Sequence, residues 1–182
     1  MMRRLRHENI VSYLGAEIRG PHLYIFQEWV PGGSAAALIK RFGPLGESVA
    51  RCYGRQVLSG LAYLHSHQIA HRDIKGANVL IDASGTAKLA DFGTSVYVLD
   101  HPHNSSSSGG ATGIQGTPYF MAPEVMRGRA HGLAVDIWSF AGTILQMVTG
   151  AAPWSGSGAA TPGALLRMVA AAHDARAPPP LP

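Results

Sequence analysis

The sequence has little cysteine, little charge and no long apolar run. Cys52 is the only cysteine, so an internal disulfide is excluded, as is typical of proteins from a reducing compartment. Charged residues make up 14% of the chain and hydrophobic residues 46%, which is enough apolar material for a buried core. The longest apolar stretch, from Ile137 to Met147, is interrupted by three polar residues, so no membrane span is predicted. We expect a cytoplasmic protein without a membrane partner.

Positive charge is present but is not arranged as a nucleic-acid site. The formal net charge is +4, from 15 Lys and Arg against 11 Asp and Glu. Apart from Arg3-Arg4-Leu5-Arg6, the basic residues are scattered, and no aromatic residues interleave with them as on a base-stacking surface. We therefore expect an ordinary basic surface and no nucleic-acid partner.

The most informative segment runs from His71 to Asn78 and reads His-Arg-Asp-Ile-Lys-Gly-Ala-Asn. It is followed by Asp91-Phe92-Gly93 and later by Ala122-Pro123-Glu124. A lone His-Arg-Asp is common by chance and usually lies in a solvated turn, but the complete set is not. These runs resemble the catalytic loop, the metal-binding loop and the end of the activation segment of protein kinases.

The resemblance implies a role for each polar residue of these loops. Phosphoryl transfer needs mainly a positioned hydroxyl and neutralised phosphate oxygens. Asp73 would accept or orient the proton of the substrate hydroxyl, and Lys75 would contact the transferring γ-phosphate of ATP. Asn78 would hold one Mg²⁺, and Asp91 would bridge Mg²⁺ to the phosphates. The expected catalytic residues are thus Asp73, Lys75, Asn78 and Asp91, and the expected metal ligands are Asn78 and Asp91.

Two short apolar and aromatic segments, 10–14 and 23–29, are separated by Gly20-Pro21 and predict a pair of antiparallel strands. Pro31-Gly32-Gly33-Ser34 then ends the pattern. Taken alone, this is a strand end with a turn after it.

By resemblance, the segment that ends the strand pattern is the hinge between two lobes, where backbone groups bind adenine. Glu28 would offer its carbonyl and Val30 its N–H to the base. Leu80 would form the floor beneath it, within a predicted hairpin of 79–81 and 87–89.

Two helices are predicted in the second part of the chain. Residues 48–67 show helical spacing, with Ser48 or Glu47 as the cap, and 135–149 form an apolar helix. By resemblance, Asp136 of the second helix is a buried charge that holds the catalytic loop, and His71 stacks against Phe92. The apolar face predicted for the first helix consists of Val49, Cys52, Tyr53, Val57, Leu61 and Leu64.

The segment from Thr94 to Gly116 is rich in serine and glycine, which predicts a flexible loop. Its place between the motifs implies an activation loop. Ser105 to Ser108 and Thr112 are candidate phosphorylation sites, with Arg72 as the partner of the phosphate. The serines are alternatively only a solvated spacer.

Two details favour serine/threonine specificity. Tyrosine-specific kinases usually carry Ala-Ala-Arg or Arg-Ala-Ala after the catalytic Asp, whereas this chain carries Ile74-Lys75-Gly76. Thr117, within Gly116-Thr117-Pro118-Tyr119, is expected to hydrogen-bond both Asp73 and Lys75. The run from His71 to Leu80 and the run from Gly116 to Met126 resemble most the MAP kinase kinase kinase group.

Length sets the expected domain organisation. The 182 residues contain neither a G-x-G-x-x-G loop nor a Val-Ala-Ile-Lys strand, both of which the family places before the hinge. We expect an α+β, two-lobe kinase-like fold in which residues 1–182 are a partial domain. Residues 1–30 would be the remnant of the small lobe, with two strands and the hinge, and residues 31–182 a mostly helical large lobe truncated at its C-terminus.

This organisation is compatible with three functional hypotheses. The chain is part of an active serine/threonine kinase that uses ATP and Mg²⁺ on a protein substrate, such as a downstream kinase. Alternatively, it is a non-catalytic binding or regulatory module of kinase fold, or a degenerate pseudokinase. The presence of Asp73, Asn78 and Asp91 argues against the last.

Overall fold

The computed structural model describes residues 2–98, 117–127, 132–159 and 161–174. Two strands come first, and helices dominate the rest of the described chain, so the predicted α+β class is confirmed. In chain order, the strands and α-helices of the described residues are β1 Tyr13–Arg19, β2 His22–Gln27, α1 Ala35–Phe42, α2 Glu47–Ser66, β3 Ile69–Ala70, β4 Val79–Ile81, β5 Ala87–Leu89, β6 Val96–Tyr97, α3 Pro123–Met126, α4 Ala134–Thr149 and α5 Pro162–Asp174.

The described strands form three antiparallel pairs: β1 with β2, β3 with β6 and β4 with β5. The predicted β4–β5 hairpin is confirmed. Its turn is closed by Asp82, whose carboxylate accepts the N–H groups of Ser84 and Thr86, both at 2.8 Å. Gly85 completes the turn with a φ of 84°, a conformation that a side chain would disfavour.

The first strand begins at Tyr13 and not, as predicted, at residue 10. The preceding segment is bonded to β5 instead: Val11 donates its N–H to the carbonyl of Leu89 at 2.9 Å, and Leu89 donates to Asn9 at 2.9 Å. A short buried apolar run has the same sequence pattern in either arrangement, so the pattern alone could not decide between them.

Helix α2 begins at Glu47 with Gly46 as its N-cap, so neither Ser48 nor Glu47 caps it as predicted. Its buried face also differs in part from the prediction. Val57, Leu61 and Leu64 are buried, but Val49 and Cys52 are exposed.

The buried face of α2 differs from the predicted one because two glycines of the helix pack closely against their neighbours. A Cβ at Gly60 would lie 2.8 Å from the carbonyl oxygen of Asn9, and one at Gly54 would lie 2.9 Å from Cδ1 of Ile144. The helix therefore turns its glycines to its neighbours, which a search for large apolar residues does not reveal.

Helix α1 was not predicted from the sequence, although its start carries a recognisable signal. Ser34 is the N-cap, and its Oγ accepts the N–H of Ala37 at 3.2 Å. Ala35 and Ile39, four residues apart, are the buried face.

The predicted second helix is confirmed as α4, and it lies at the centre of the helical part. The largest apolar cluster packs around it and α2. Its buried members are Leu5, Ile10, Ala35, Ile39, Ala50, Val57, Leu61, Leu64, Ile69, Ile74, Val79, Ile81, Ala87, Leu89, Phe92 and Met147.

The segment predicted to be irregular from Thr94 onwards contains a short strand, β6, which pairs with β3 just before His71. Ser105 to Ser108 and Thr112, the candidate phosphorylation sites, lie outside the described residues. Across the described ranges, no helix is both long and apolar enough to cross a membrane.

Candidate active site

The side chains of Asp73, Lys75 and Asn78 form one hydrogen-bonded group. Oδ2 of Asp73 accepts a bond from Lys75 Nζ at 2.8 Å and from Asn78 Nδ2 at 2.9 Å. Nδ2 of Asn78 also donates to the backbone carbonyl of Asp73 at 2.8 Å. Among the described residues, Oδ1 of Asp73 has no hydrogen-bond partner, which leaves one carboxylate oxygen able to accept a proton or a hydroxyl.

Lys75 links this group to the segment that begins at Thr117. Its Nζ donates to Oγ1 of Thr117 at 2.9 Å, as predicted. The second predicted bond, from Thr117 to Asp73, is absent from the described contacts, since Lys75 lies between the two side chains.

The backbone before Asp73 is held by Asp136, which is fully buried at the start of α4. Its carboxylate accepts the N–H of His71 at 2.9 Å and that of Arg72 at 2.8 Å. A third bond comes from Nε2 of His65 at 2.9 Å. A buried carboxylate is tolerable when it is bonded in this way, so the prediction of a buried, hydrogen-bonded Asp136 is confirmed.

The sequence reasoning missed His65, the side-chain partner of that carboxylate. Its separation from Asp136 along the chain gives no pattern to detect. Only the packing of α2 against α4 brings the two residues together.

His71 is a structural residue. It is fully buried, and its ring lies 4.9 Å from that of Phe92, as predicted. Nε2 donates to the carbonyl of Ala90 at 3.0 Å, which leaves Nδ1 to accept the N–H of Asp73 at 3.4 Å. Burial lowers the pKa of His71 below its ordinary value, although Asp136 opposes the shift, so the imidazole is neutral and already bonded.

Asp91 is exposed, and the backbone just before it is bonded to the loop that carries Asp73, Lys75 and Asn78. The N–H of Ala90 donates to the carbonyl of Asn78 at 2.9 Å, which ties the strand end to the loop. Asp91 has a φ of 63°, and its Oδ1 accepts the N–H of Gly93 at 3.3 Å. The fold thus brings Asp91 next to Asn78, as the predicted metal site requires.

The donor set of Asn78 and Asp91 fits Mg²⁺. Nδ2 of Asn78 is engaged in two hydrogen bonds, so Oδ1 is the atom left to bind a metal. No fully buried side-chain oxygen of the described residues lacks a hydrogen-bond partner, so the unpaired Oδ1 of Asn78 must be accessible to solvent. The described residues include no cluster of three or more His, Cys, Asp or Glu that would hold a metal by themselves. Mg²⁺ suits such a sparse site, because it commonly keeps waters and takes one or two protein oxygens plus substrate phosphates.

The predicted adenine site is a separate apolar group at the hinge. Val11, Val30 and Ala90 are buried together, and Leu80 packs against them while staying partly exposed. In the described structure, no hydrogen bond occupies the carbonyl of Glu28 or the N–H of Val30. An apolar surface beside one free acceptor and one free donor fits a purine base.

Glycines hold the hinge against β4. The carbonyl of Gly33 accepts the N–H of Ile81 at 2.8 Å. A Cβ at Gly32 would collide with the carbonyl oxygen of Ile81, so the close approach requires glycine there.

Two further contacts at the site were not predicted. Oε1 of Gln146, from α4, accepts the N–H of Gly76 at 3.2 Å. Lys88 forms an ion pair with Glu28, with 2.6 Å between Nζ and Oε1. Neither residue belongs to a motif, and each is brought to the site only by packing.

Comparison with known proteins agrees with this geometry. Residues 1–173 match the family model described as protein kinase domain. Over 155 residues, which are 85% of the chain, it is 51% identical to mitogen-activated protein kinase kinase kinase ANP1 of Arabidopsis thaliana. It is also 47% identical over 155 residues to mitogen-activated protein kinase kinase kinase A of Dictyostelium discoideum, again 85% of the chain. Mitogen-activated protein kinase kinase kinase 3 of Homo sapiens is 44% identical over 157 residues, or 85% of the chain.

The chain spans only a small part of these curated relatives. The matched region is 23% of the Arabidopsis protein, 16% of the Dictyostelium protein and 25% of the human protein.

Proposed function

The chain belongs to the protein kinase family, and from this premise we propose that it is part of a serine/threonine kinase of a MAP kinase cascade. Such a protein transfers the γ-phosphate of ATP to a Ser or Thr hydroxyl of a protein substrate. The names of its relatives and the Ile74-Lys75-Gly76 sequence after Asp73 support this specificity. The substrate would be a downstream kinase, and the reaction would take place in the cytoplasm.

The observation that carries the proposal is the asymmetric bonding of Asp73. One carboxylate oxygen is held by Lys75 and Asn78, and the other has no partner among the described residues. A base for a substrate hydroxyl needs this arrangement, with its orientation fixed and one acceptor free.

The residues of the site divide the reaction between them. Oδ1 of Asp73 accepts the hydroxyl proton as the hydroxyl oxygen bonds to phosphorus and the bond to the leaving ADP oxygen breaks. Nζ of Lys75, 2.8 Å from Asp73, would stabilise the negative charge that develops on the transferring group. Bound Mg²⁺, held by Asn78 and Asp91, would neutralise the phosphate oxygens. Glu28, Val30 and Leu80 would hold the adenine.

The alternative function is that of a non-catalytic module of kinase fold. Such a module would keep the fold and a partner surface but would not turn over ATP.

The test uses the full natural coding sequence that contains this chain. The purified product is incubated with labelled ATP, Mg²⁺ and peptides that offer Ser, Thr or Tyr. We expect transfer to Ser and Thr peptides, its loss in Asp73→Asn, and its retention in Glu47→Gln, a surface control on α2. Nucleotide binding without transfer would support the non-catalytic module, and labelling of Tyr peptides alone would refute the proposed specificity.

A further inference from the structure

Lys88 and Glu28 form an ion pair that connects strand β5 to the hinge. Their Nζ and Oε1 atoms are 2.6 Å apart, and the two side chains are only 17% and 23% exposed. Partly buried charges are screened less by salt and solvent than fully exposed ones. The pair is therefore expected to hold its geometry better than a surface salt bridge does.

Glu28 is also fixed from its other side. Its Oε2 accepts the N–H of Ser12 at 3.0 Å, and its own N–H donates to the carbonyl of Ser12 at 2.9 Å. Partial burial acts to raise the pKa of Glu28, but hydrogen bonds from Lys88 and Ser12 outweigh it and lower the pKa below the ordinary value. The carboxylate thus stays ionised at neutral pH and joins three chain segments.

The Lys88–Glu28 pair lies next to the candidate adenine site. Lys88 lies opposite Leu80 in the β4–β5 register, and Leu80 packs against Val30. Lys88 also precedes Asp91 on the same stretch of chain. The pair therefore connects the hinge backbone to the strand that leads to the candidate metal ligand.

We propose that Lys88 is a positioning residue for nucleotide binding. By holding the Glu28 carboxylate, it keeps the Glu28 carbonyl and the Val30 N–H in register with the apolar surface of Leu80. Lys88 acts through Glu28 and does not itself contact the base. This inference rests on the proposed function, because it assumes that the hinge binds adenine.

The first test measures KM for ATP and kcat in the full natural protein. For Lys88→Met we expect KM to rise about three- to tenfold, the size of one ordinary hydrogen bond, with little change in kcat. Lys88→Arg keeps the charge and should restore most of the affinity. Lys40→Met, which removes an exposed lysine of α1, is the matched control and should leave KM unchanged.

A double-mutant cycle with Glu28→Gln identifies the partner. If Lys88 acts through Glu28, the effects of the two substitutions on KM will not add. Additive effects, or a KM in Lys88→Met equal to that in Lys40→Met, would overturn the inference.

A readout without nucleotide separates this inference from the proposed function. Hydrogen exchange of the peptide covering residues 26–31 should be faster in Lys88→Met than in Lys40→Met. If the parent protein binds no ATP, the proposed function and the role of Lys88 in nucleotide binding both fail. If it binds ATP but transfers no phosphate, only the proposed kinase activity fails, and the exchange rates still decide the role of Lys88. Equal exchange in the two variants would then reject it, and faster exchange in Lys88→Met would support it.

Discussion

The buried carboxylate of Asp136 accepts the backbone N–H of Arg72 at 2.8 Å, and Arg72 adopts a left-handed conformation with φ of 70°. Such a conformation in a residue other than glycine costs on the order of 1 kcal/mol and persists when its surroundings hold it. The contact explains how the chain turns sharply just before Asp73.

Asp136→Asn is expected to destabilise the fold. The carboxylate accepts three hydrogen bonds, and an amide would place a donor against at least one of these donors. The loss should be on the order of 2–4 kcal/mol in the free energy of unfolding, measured by urea denaturation. Arg55→Gln, at an exposed position of α2 that forms no ion pair among the described residues, should change it by less than about 0.5 kcal/mol. Equal stability of the two variants would contradict the role given to Asp136.

The stability of the chain should fall on acidification because of His71. Burial lowers the pKa of His71 in the folded protein below the ordinary value of 6.5, so the unfolded chain binds the proton first as the pH falls. The contribution of neutral His71 to the free energy of unfolding is complete above pH 6.5. Below that pH it is lost, by up to ~1.4 kcal/mol per pH unit. Urea denaturation between pH 8 and pH 5 measures the slope. His71→Asn should flatten it, and an unchanged slope in that variant would assign the pH dependence to other groups.

Gly76→Ala should damage the catalytic loop. A Cβ there would lie 2.5 Å from Oε1 of Gln146 and 3.3 Å from the backbone nitrogen of Ala36. We expect a loss of about 1–2 kcal/mol in unfolding free energy, because the Gln146 amide must move and give up its hydrogen bond from the Gly76 N–H. Gly132→Ala is the control, since a Cβ at that position meets no atom of the described residues within 4 Å. If Gln146→Ala does not relieve part of the loss in Gly76→Ala, the clash is not its cause.

In the full natural protein, Asp73→Asn and Asp91→Ala should both abolish phosphoryl transfer, for different reasons. In the proposed mechanism Asp73 contacts the acceptor hydroxyl and not the nucleotide, so nucleotide affinity should stay near the parent value in Asp73→Asn. Asp91→Ala removes the charged ligand of the proposed metal site, so the Mg²⁺-dependent part of ATP affinity should fall. Titration with a fluorescent ATP analogue, with and without Mg²⁺, measures both. An equal loss of affinity in the two variants would contradict the division of roles.

The 182-residue chain by itself should transfer phosphate poorly. It contains the loop of Asp73 but no motif of the kind that positions the α- and β-phosphates in the family. Such positioning commonly contributes several kcal/mol, and each ~1.4 kcal/mol is tenfold in rate. A radiolabel transfer assay of the purified chain checks this. Robust turnover that disappears in Asp73→Asn would show that the chain needs no further positioning element.

Local sequence carried much of the fold. The β4–β5 hairpin and α4 are specified by turn residues and apolar periodicity, which act over a few residues, and both are found where predicted. The start of β1, the cap of α2 and the exposure of Val49 were predicted wrongly. In each case the outcome depends on contacts with distant segments, such as Asn9 against Gly60.

The sequence by itself predicted which residues carry the proposed chemistry and determined that they lie together. Asp73, Lys75 and Asn78 are separated by few residues, so one short loop brings their side chains within hydrogen-bond distance. The tertiary structure alone decided what holds that loop and the hinge beside it: His65, Gln146 and Lys88 lie on other elements. The physical reason is that a hydrogen bond needs its two atoms about 3 Å apart, and spacing along the chain sets that distance only within a single local element.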